Sequence, residues 1–76
     1  IDCRGLIVAP GFCDAHTHCD RTVVVPNKRQ NAPYIMQGVS TVVTGNCGLG
    51  PKNVEDYLQQ IEQHPPGTNV AHLAAY

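Results

Sequence analysis

The stretches PGFCDAHTH, residues 10–18, and STVVTGNCG, residues 40–48, decide the fold that we predict for this chain. Each contains apolar or β-branched residues that are followed by polar ones, as in a buried strand where it meets a loop. The polar part of the first stretch contains His16 and His18, and that of the second contains Asn46 and Cys47. Ligand-bearing residues favour strand ends in α/β folds, so we expect a functional site there.

The residue types at these two ends predict a metal site. Side chains alternate along a strand, so His16 and His18 share one face, with Cα atoms roughly 6–7 Å apart. Imidazole and thiolate are both good zinc ligands, which adds Cys47 to the predicted set. Three protein ligands with an open fourth position are typical of a catalytic zinc, whereas a structural zinc has four. The predicted ligands are therefore His16, His18 and Cys47, with Zn²⁺ as the cofactor.

Length and charge exclude several classes of protein. The 76 residues suffice for one small domain, and the net charge is −1. This balance gives no electrostatic footprint for nucleic acid or for an anionic membrane surface. The sequence has no apolar run of roughly 20 residues and no signal-peptide pattern at its start. We expect neither nucleic acid nor membrane as a partner.

The cysteine pattern predicts a reducing, cytoplasmic setting. The four cysteines contain no Cys-x-x-Cys spacing. Cys13 is predicted to be buried on the strand face opposite the two histidines. Cys19 follows the histidine pair directly, and we interpret it as a loop thiol near the site, with an approach to the metal as the alternative. No function is expected for Cys3.

The order of predicted elements indicates an α/β fold with a parallel sheet. Helical spacing of apolar residues predicts two helices, one capped by Asn31 and one beginning near Asn53. Residues 23–25 are either a short strand or a packed loop. Strands are predicted at residues 5–9, 12–17, 40–44 and 69–75. Parallel sheets are covered on both faces, which these few elements do not achieve, so the chain is expected to be a piece of a larger unit.

Two longer stretches resemble one known family. GLIVAPGFCDAHTHCD, residues 5–20, and QGVSTVVTGNCG, residues 37–48, are similar to the N-terminal part of the amidohydrolase superfamily. The Gly-Asn-Cys-Gly motif resembles the D-aminoacylase branch, the N-acyl-D-amino-acid deacylases. Residues 69–76 resemble the third barrel strand of that branch.

This resemblance implies a zinc-dependent (β/α)8 barrel with a small β-domain. Residues 1–9 would be the last strand of the small domain, and residues 10–76 the first strands and helices of an incomplete barrel. His16 and His18 match first-strand ligands of one metal position. Cys47 matches the ligand that replaces a bridging carboxylated lysine elsewhere in the superfamily.

The implied reaction is hydrolysis of the amide bond of N-acyl-D-amino acids by a metal-activated water. Zinc lowers the pKa of its bound water to around 7, and an aspartate accepts the proton. The catalytic aspartate and the remaining ligands would come from later barrel strands, so the remainder of the barrel is an expected partner. The 76 residues alone are expected to be inactive.

Several polar residues have two open interpretations. Asp14 is either a group that supports the metal ligands or a structural strand residue. His72 is interpreted as a hydrogen-bonded structural histidine rather than an inward-facing one. His64 is either a partner of the helix dipole or a solvated loop residue. Cys13 and Tyr76 depart from the family pattern, which usually has an aliphatic residue and a histidine at these positions.

A second functional class also fits these residues. A small metal-binding or assembly module would use the same half-site without hydrolysis and would need no further residues. A structural α/β segment with coincidental histidines is the third alternative.

Overall fold

A three-stranded parallel sheet with strand order β1-β2-β3 organises the computed structural model, which describes residues 1–74. One α-helix connects β1 to β2 and a second connects β2 to β3, and a short 3₁₀ turn lies in the loop after each of the first two strands. The strands are β1 (Phe12–Asp14), β2 (Val39–Thr44) and β3 (Asn69–His72), the helices are α1 (Ala32–Ile35) and α2 (Val54–Gln63), and the turns are Cys19–Arg21 and Asn46–Gly48.

The register of the sheet brings the carboxyl ends of its strands together. Asp14 of β1 pairs with Val42 of β2, and Thr44 of β2 pairs with His72 of β3. Because all three strands run in the same direction, the loops that follow β1 and β2 leave the sheet at one edge. The predicted α/β class with a parallel sheet is confirmed.

Local sequence explains why β2 and α2 form. Residues 39–44 of β2 are β-branched apart from Ser40, and Val42 and Thr44 are fully buried. The helix α2 begins after Asn53, whose side-chain oxygen accepts a hydrogen bond from the backbone N–H of Asp56 at 3.2 Å. The prediction that this helix starts near Asn53 is confirmed by that cap.

The core is small and is formed by residues of the loop after β1, of β2 and of α2. Val23 and Val42 are fully buried, and Cys19 and Tyr57 are almost so. Residues 23–25 belong to a packed loop rather than a strand, which decides between the two predicted alternatives. Partly buried residues surround this cluster: Val24, Tyr34, Val39, Ile61 and Val70.

The strand predicted at residues 5–9 is not formed in the described chain. Gly5 has a φ of 78°, and the backbone N–H of Leu6 donates to the carbonyl of Cys3 at 2.9 Å, so the chain turns here. A strand needs a hydrogen-bonded neighbour, and residues 1–74 provide none for this segment. The assignment of residues 1–9 to a small β-domain stays a prediction.

Two predictions about side chains are wrong. Cys13 is exposed rather than buried, since nothing within residues 1–74 covers its face of β1. Asn31 precedes α1 but makes no cap bond, because its backbone is left-handed, with φ 53°. Its amide instead donates to Thr68 Oγ1 at 3.0 Å and to Cys19 Sγ at 3.6 Å. The Asn31 side chain therefore connects the loop after β1 to the segment that precedes β3.

The last predicted strand is only partly covered by the described chain. β3 ends at His72. Residue 75 and Tyr76, with its departure from the family pattern, lie outside the described residues.

Neither helix within residues 1–74 combines the length and the apolar composition that crossing a membrane requires.

Candidate metal centre

The two histidines lie in the loop directly after β1. The strand ends at Asp14, earlier than predicted, and Asp14 Oδ1 accepts a hydrogen bond from the backbone N–H of His16 at 3.1 Å. The rings of His16 and His18 remain neighbours, with centroids 5.3 Å apart and planes inclined by 65°. Asp14 thus supports the backbone of one predicted ligand.

Cys47 reaches the histidines through an unusual backbone turn. It lies in the turn after β2 with φ 60° and ψ 24°, a left-handed conformation that non-glycine residues rarely adopt. Gly45 precedes this turn with a φ of 82°, which glycine tolerates because it has no Cβ. The turn places Cys47 Sγ 3.4 Å from His16 Nε2.

The structure brings all three predicted ligands together. One ligand atom each from His16, His18 and Cys47 lies within 4.8 Å of the other two, and all three residues are exposed. In a tetrahedral zinc site, bond lengths of ~2.0 Å to nitrogen and ~2.3 Å to sulfur put these two atoms about 3.5 Å apart. The observed 3.4 Å between sulfur and nitrogen fits that requirement.

A shallow pocket adjoins the cluster beside His18. Its volume is about 250 Å³, and Asp20, Arg21 and Leu49 form the rest of its lining. The exposed ligand cluster therefore has open space next to it on the side of His18.

Sequence reasoning gave no role to two polar residues beside the ligands. Thr17 lies between the histidines and is only 2% exposed, and Asn46 directly precedes Cys47. Both donate hydrogen bonds to the carbonyl of Val43. The one feature of the sequence that points to these two residues is that each lies directly next to a predicted ligand.

The other candidate residues lie outside the cluster. His72 Nδ1 is 2.7 Å from Thr44 Oγ1, and the His72 ring packs on Tyr57, which confirms the structural interpretation. Cys19 is buried and contacts Thr17 and Asn31, in agreement with a structural loop thiol. The exposed His64 stands at the carboxyl end of α2.

Fold and site together define an α/β protein with a candidate metal centre at the carboxyl edge of a parallel sheet. The chain belongs to the amidohydrolase family, whose sequence model matches residues 1–70. Within this family it falls in the D-aminoacylase branch, as the resemblance predicted.

Two curated relatives from Alcaligenes xylosoxydans xylosoxydans support that placement. A D-aminoacylase is 55% identical over 49 residues, and an N-acyl-D-aspartate deacylase is 51% identical over 49 residues. Each alignment covers 64% of this chain, but only 10% and 9% of the respective relative. The chain spans about a tenth of the length of these relatives.

A solved structure shows the same fold. A D-aminoacylase studied for its binuclear metal centre matches with a TM-score of 0.74 and 34% identity, over 87% of this chain and 18% of that one. The predicted fold class, the N-terminal part of a (β/α)8-barrel hydrolase, is therefore confirmed.

Proposed function

We propose that this chain carries part of the active site of a zinc-dependent amidohydrolase that cleaves the amide bond of N-acyl-D-amino acids. The proposal is supported by the family membership and by the names of the relatives, a D-aminoacylase and an N-acyl-D-aspartate deacylase. The substrate is a small molecule, and the remaining part of the barrel is the protein partner.

The observation that carries this proposal is the convergence of His16, His18 and Cys47. Two nitrogen donors and one sulfur donor bind zinc in preference to magnesium or calcium, because magnesium and calcium favour oxygen ligands. The metal centre of the similar D-aminoacylase structure supports metal use in this branch. We assign all three residues as metal ligands.

A zinc ion held there would supply Lewis acidity and activate water for attack on the amide carbonyl. The residues of this chain have two tasks in that reaction. His16, His18 and Cys47 would hold the ion, and all three are exposed. Asp14 orients the backbone of His16 by accepting its N–H. The general base and the further ligands are proposed to lie on later strands.

A second candidate is a metal-binding or assembly module without hydrolysis. The favouring observation is that the three ligands come from two adjacent loops of the described chain and converge without any additional residue. The four cysteines are unpaired, which supports a reducing cytoplasmic setting for either candidate.

Hydrolysis assays with the complete protein, in which the remaining part of the barrel is present, distinguish the two candidates. N-acetyl-D-methionine and N-acetyl-D-aspartate are the substrates, and their L-enantiomers are the matched controls. We expect release of the free D-amino acid, loss of this activity after chelation, and recovery with Zn²⁺ but not with Mg²⁺. Stoichiometric zinc binding without hydrolysis of either enantiomer would favour the binding module. A chelator-resistant activity would contradict the metal-dependent mechanism.

A further inference from the structure

Each proposed metal ligand is the direct sequence neighbour of a residue that hydrogen-bonds to one backbone carbonyl, that of Val43. Thr17 separates His16 from His18, and Asn46 precedes Cys47. The two ligand loops, which are 29 residues apart at Thr17 and Asn46, therefore meet at a single acceptor near the end of β2.

The hydrogen bonds at this carbonyl are short and come from three donors. The backbone N–H of Thr17 donates to Val43 O at 3.0 Å, and the Thr17 hydroxyl donates to it at 2.8 Å. The side-chain amide of Asn46 donates to the same oxygen at 3.0 Å. The Asn46 amide also lies 3.5 Å from the carbonyl oxygen of Thr17, so it links both loops.

Burial separates these positioning groups from the ligands. Thr17 points into the protein and is 2% exposed, while both flanking histidines are exposed. The Thr17 side chain is thus directed inward, while the two flanking imidazoles lie on the exposed side. The Asn46 bond lies at the start of the turn in which Cys47 has its left-handed conformation.

We propose that Thr17 and Asn46 are positioning residues that hold the histidine loop and the cysteine turn at the spacing a metal ion requires. This inference rests on the proposed function, since it assumes that His16, His18 and Cys47 bind metal. Groups that orient metal ligands typically change metal affinity 10–100-fold when they are replaced.

The replacement Asn46→Asp tests the cysteine turn. Aspartate has nearly the same shape as asparagine but lacks the N–H donors, and its carboxylate would face two carbonyl oxygens. We expect the affinity for Co²⁺ to fall at least about tenfold. The absorption band from thiolate-to-cobalt charge transfer reports directly on Cys47 coordination, and it should weaken at fixed Co²⁺ concentration.

Asn69→Asp is the matched control. The Asn69 amide donates to the carbonyl of Ser40 at 3.2 Å, at the opposite end of the sheet from the ligands. The same chemical change there should leave the Co²⁺ affinity and the charge-transfer band unchanged.

The pair Thr17→Val and Thr17→Ser tests the histidine loop. Valine keeps the shape of threonine and removes the hydroxyl, whereas serine restores the bond to Val43. We expect weaker Co²⁺ binding in Thr17→Val, with recovery in Thr17→Ser, while circular dichroism shows a retained fold. If Asn46→Asp does not fold, this pair decides the outcome.

Failure of this inference is distinguishable from failure of the proposed function. If the unmodified protein gives no thiolate-to-cobalt band, the ligand assignment is wrong, and the inference falls with it. If the unmodified protein gives the band and the folded variants at positions 17 and 46 bind Co²⁺ with unchanged affinity, only the positioning role is overturned.

Discussion

Replacement of Tyr57 by phenylalanine should change how stability depends on pH. The Tyr57 side chain is 4% exposed, and its hydroxyl has no hydrogen-bond partner among residues 1–74. The nearby Thr44 hydroxyl acts to lower the pKa of Tyr57, but this hydroxyl is hydrogen-bonded to His72. Burial dominates and raises the pKa of Tyr57 from 10.0 to about 12.

The sign of the effect follows from which state holds the proton. Below pH 10 the phenol is protonated in both the folded and the unfolded chain. Between about pH 10 and 12 the unfolded chain releases this proton while the folded chain retains it, so the free energy of unfolding falls as pH rises. A pKa rise from 10.0 to about 12 corresponds to a loss of about 3 kcal/mol across this window.

Urea denaturation of both proteins, followed by circular dichroism at about pH 8, 10 and 11.5, measures this slope. At about pH 8 we expect Tyr57→Phe to raise the free energy of unfolding by about 1 kcal/mol, because it removes an unpartnered buried hydroxyl. At about pH 11.5 the advantage of the variant should grow by about 2 kcal/mol. Tyr34→Phe is the control with a smaller effect, since Tyr34 is only half-buried. Parallel pH profiles for the original protein and Tyr57→Phe would refute this reasoning.

Three further substitutions test the packing around the site. Asn53→Ala should lower the free energy of unfolding by about 1 kcal/mol in urea denaturation through loss of the α2 cap, and Asn53→Ser should retain most of it. Gly45→Ala should cost more than about 2 kcal/mol and also weaken zinc binding in a chelator competition, because a Cβ at φ 82° would collide with a neighbouring carbonyl and the His72 ring. Thr44→Val should lower the melting temperature, at a cost of about 1–2 kcal/mol, because His72 Nδ1 would lose its 2.7 Å partner, whereas Thr44→Ser should not.

The sequence was sufficient to predict the parallel sheet and the convergence of His16, His18 and Cys47. β2 is almost uniformly β-branched and is followed by a glycine. Both the extent of this strand and the start of the next loop can therefore be predicted from the sequence. Because parallel strands end at one edge, placing His16, His18 and Cys47 at strand ends already implied that they meet. Their identity as ligands stays a prediction.

Features that depend on contacts between distant segments of the chain could not be predicted from the sequence. The burial predicted for Cys13 required a layer that residues 1–74 do not supply. The side chain of Asn31 bonds to Thr68, 37 positions away, instead of capping the adjacent helix. The left-handed conformation of Cys47 also escaped prediction, because a positive φ at a non-glycine residue has no reliable sequence signal.

Zinc affinity, measured by competition with a chromophoric chelator, tests the central claim most directly. The unmodified protein is compared with Cys47→Ala and with Cys13→Ala, which removes another exposed thiol that lies outside the ligand cluster. We predict that Cys13→Ala binds zinc like the unmodified protein and that Cys47→Ala binds more than about a hundredfold more weakly, because a ligand contributes more than the groups that orient it. Equal zinc affinity in all three proteins would contradict the proposed metal centre.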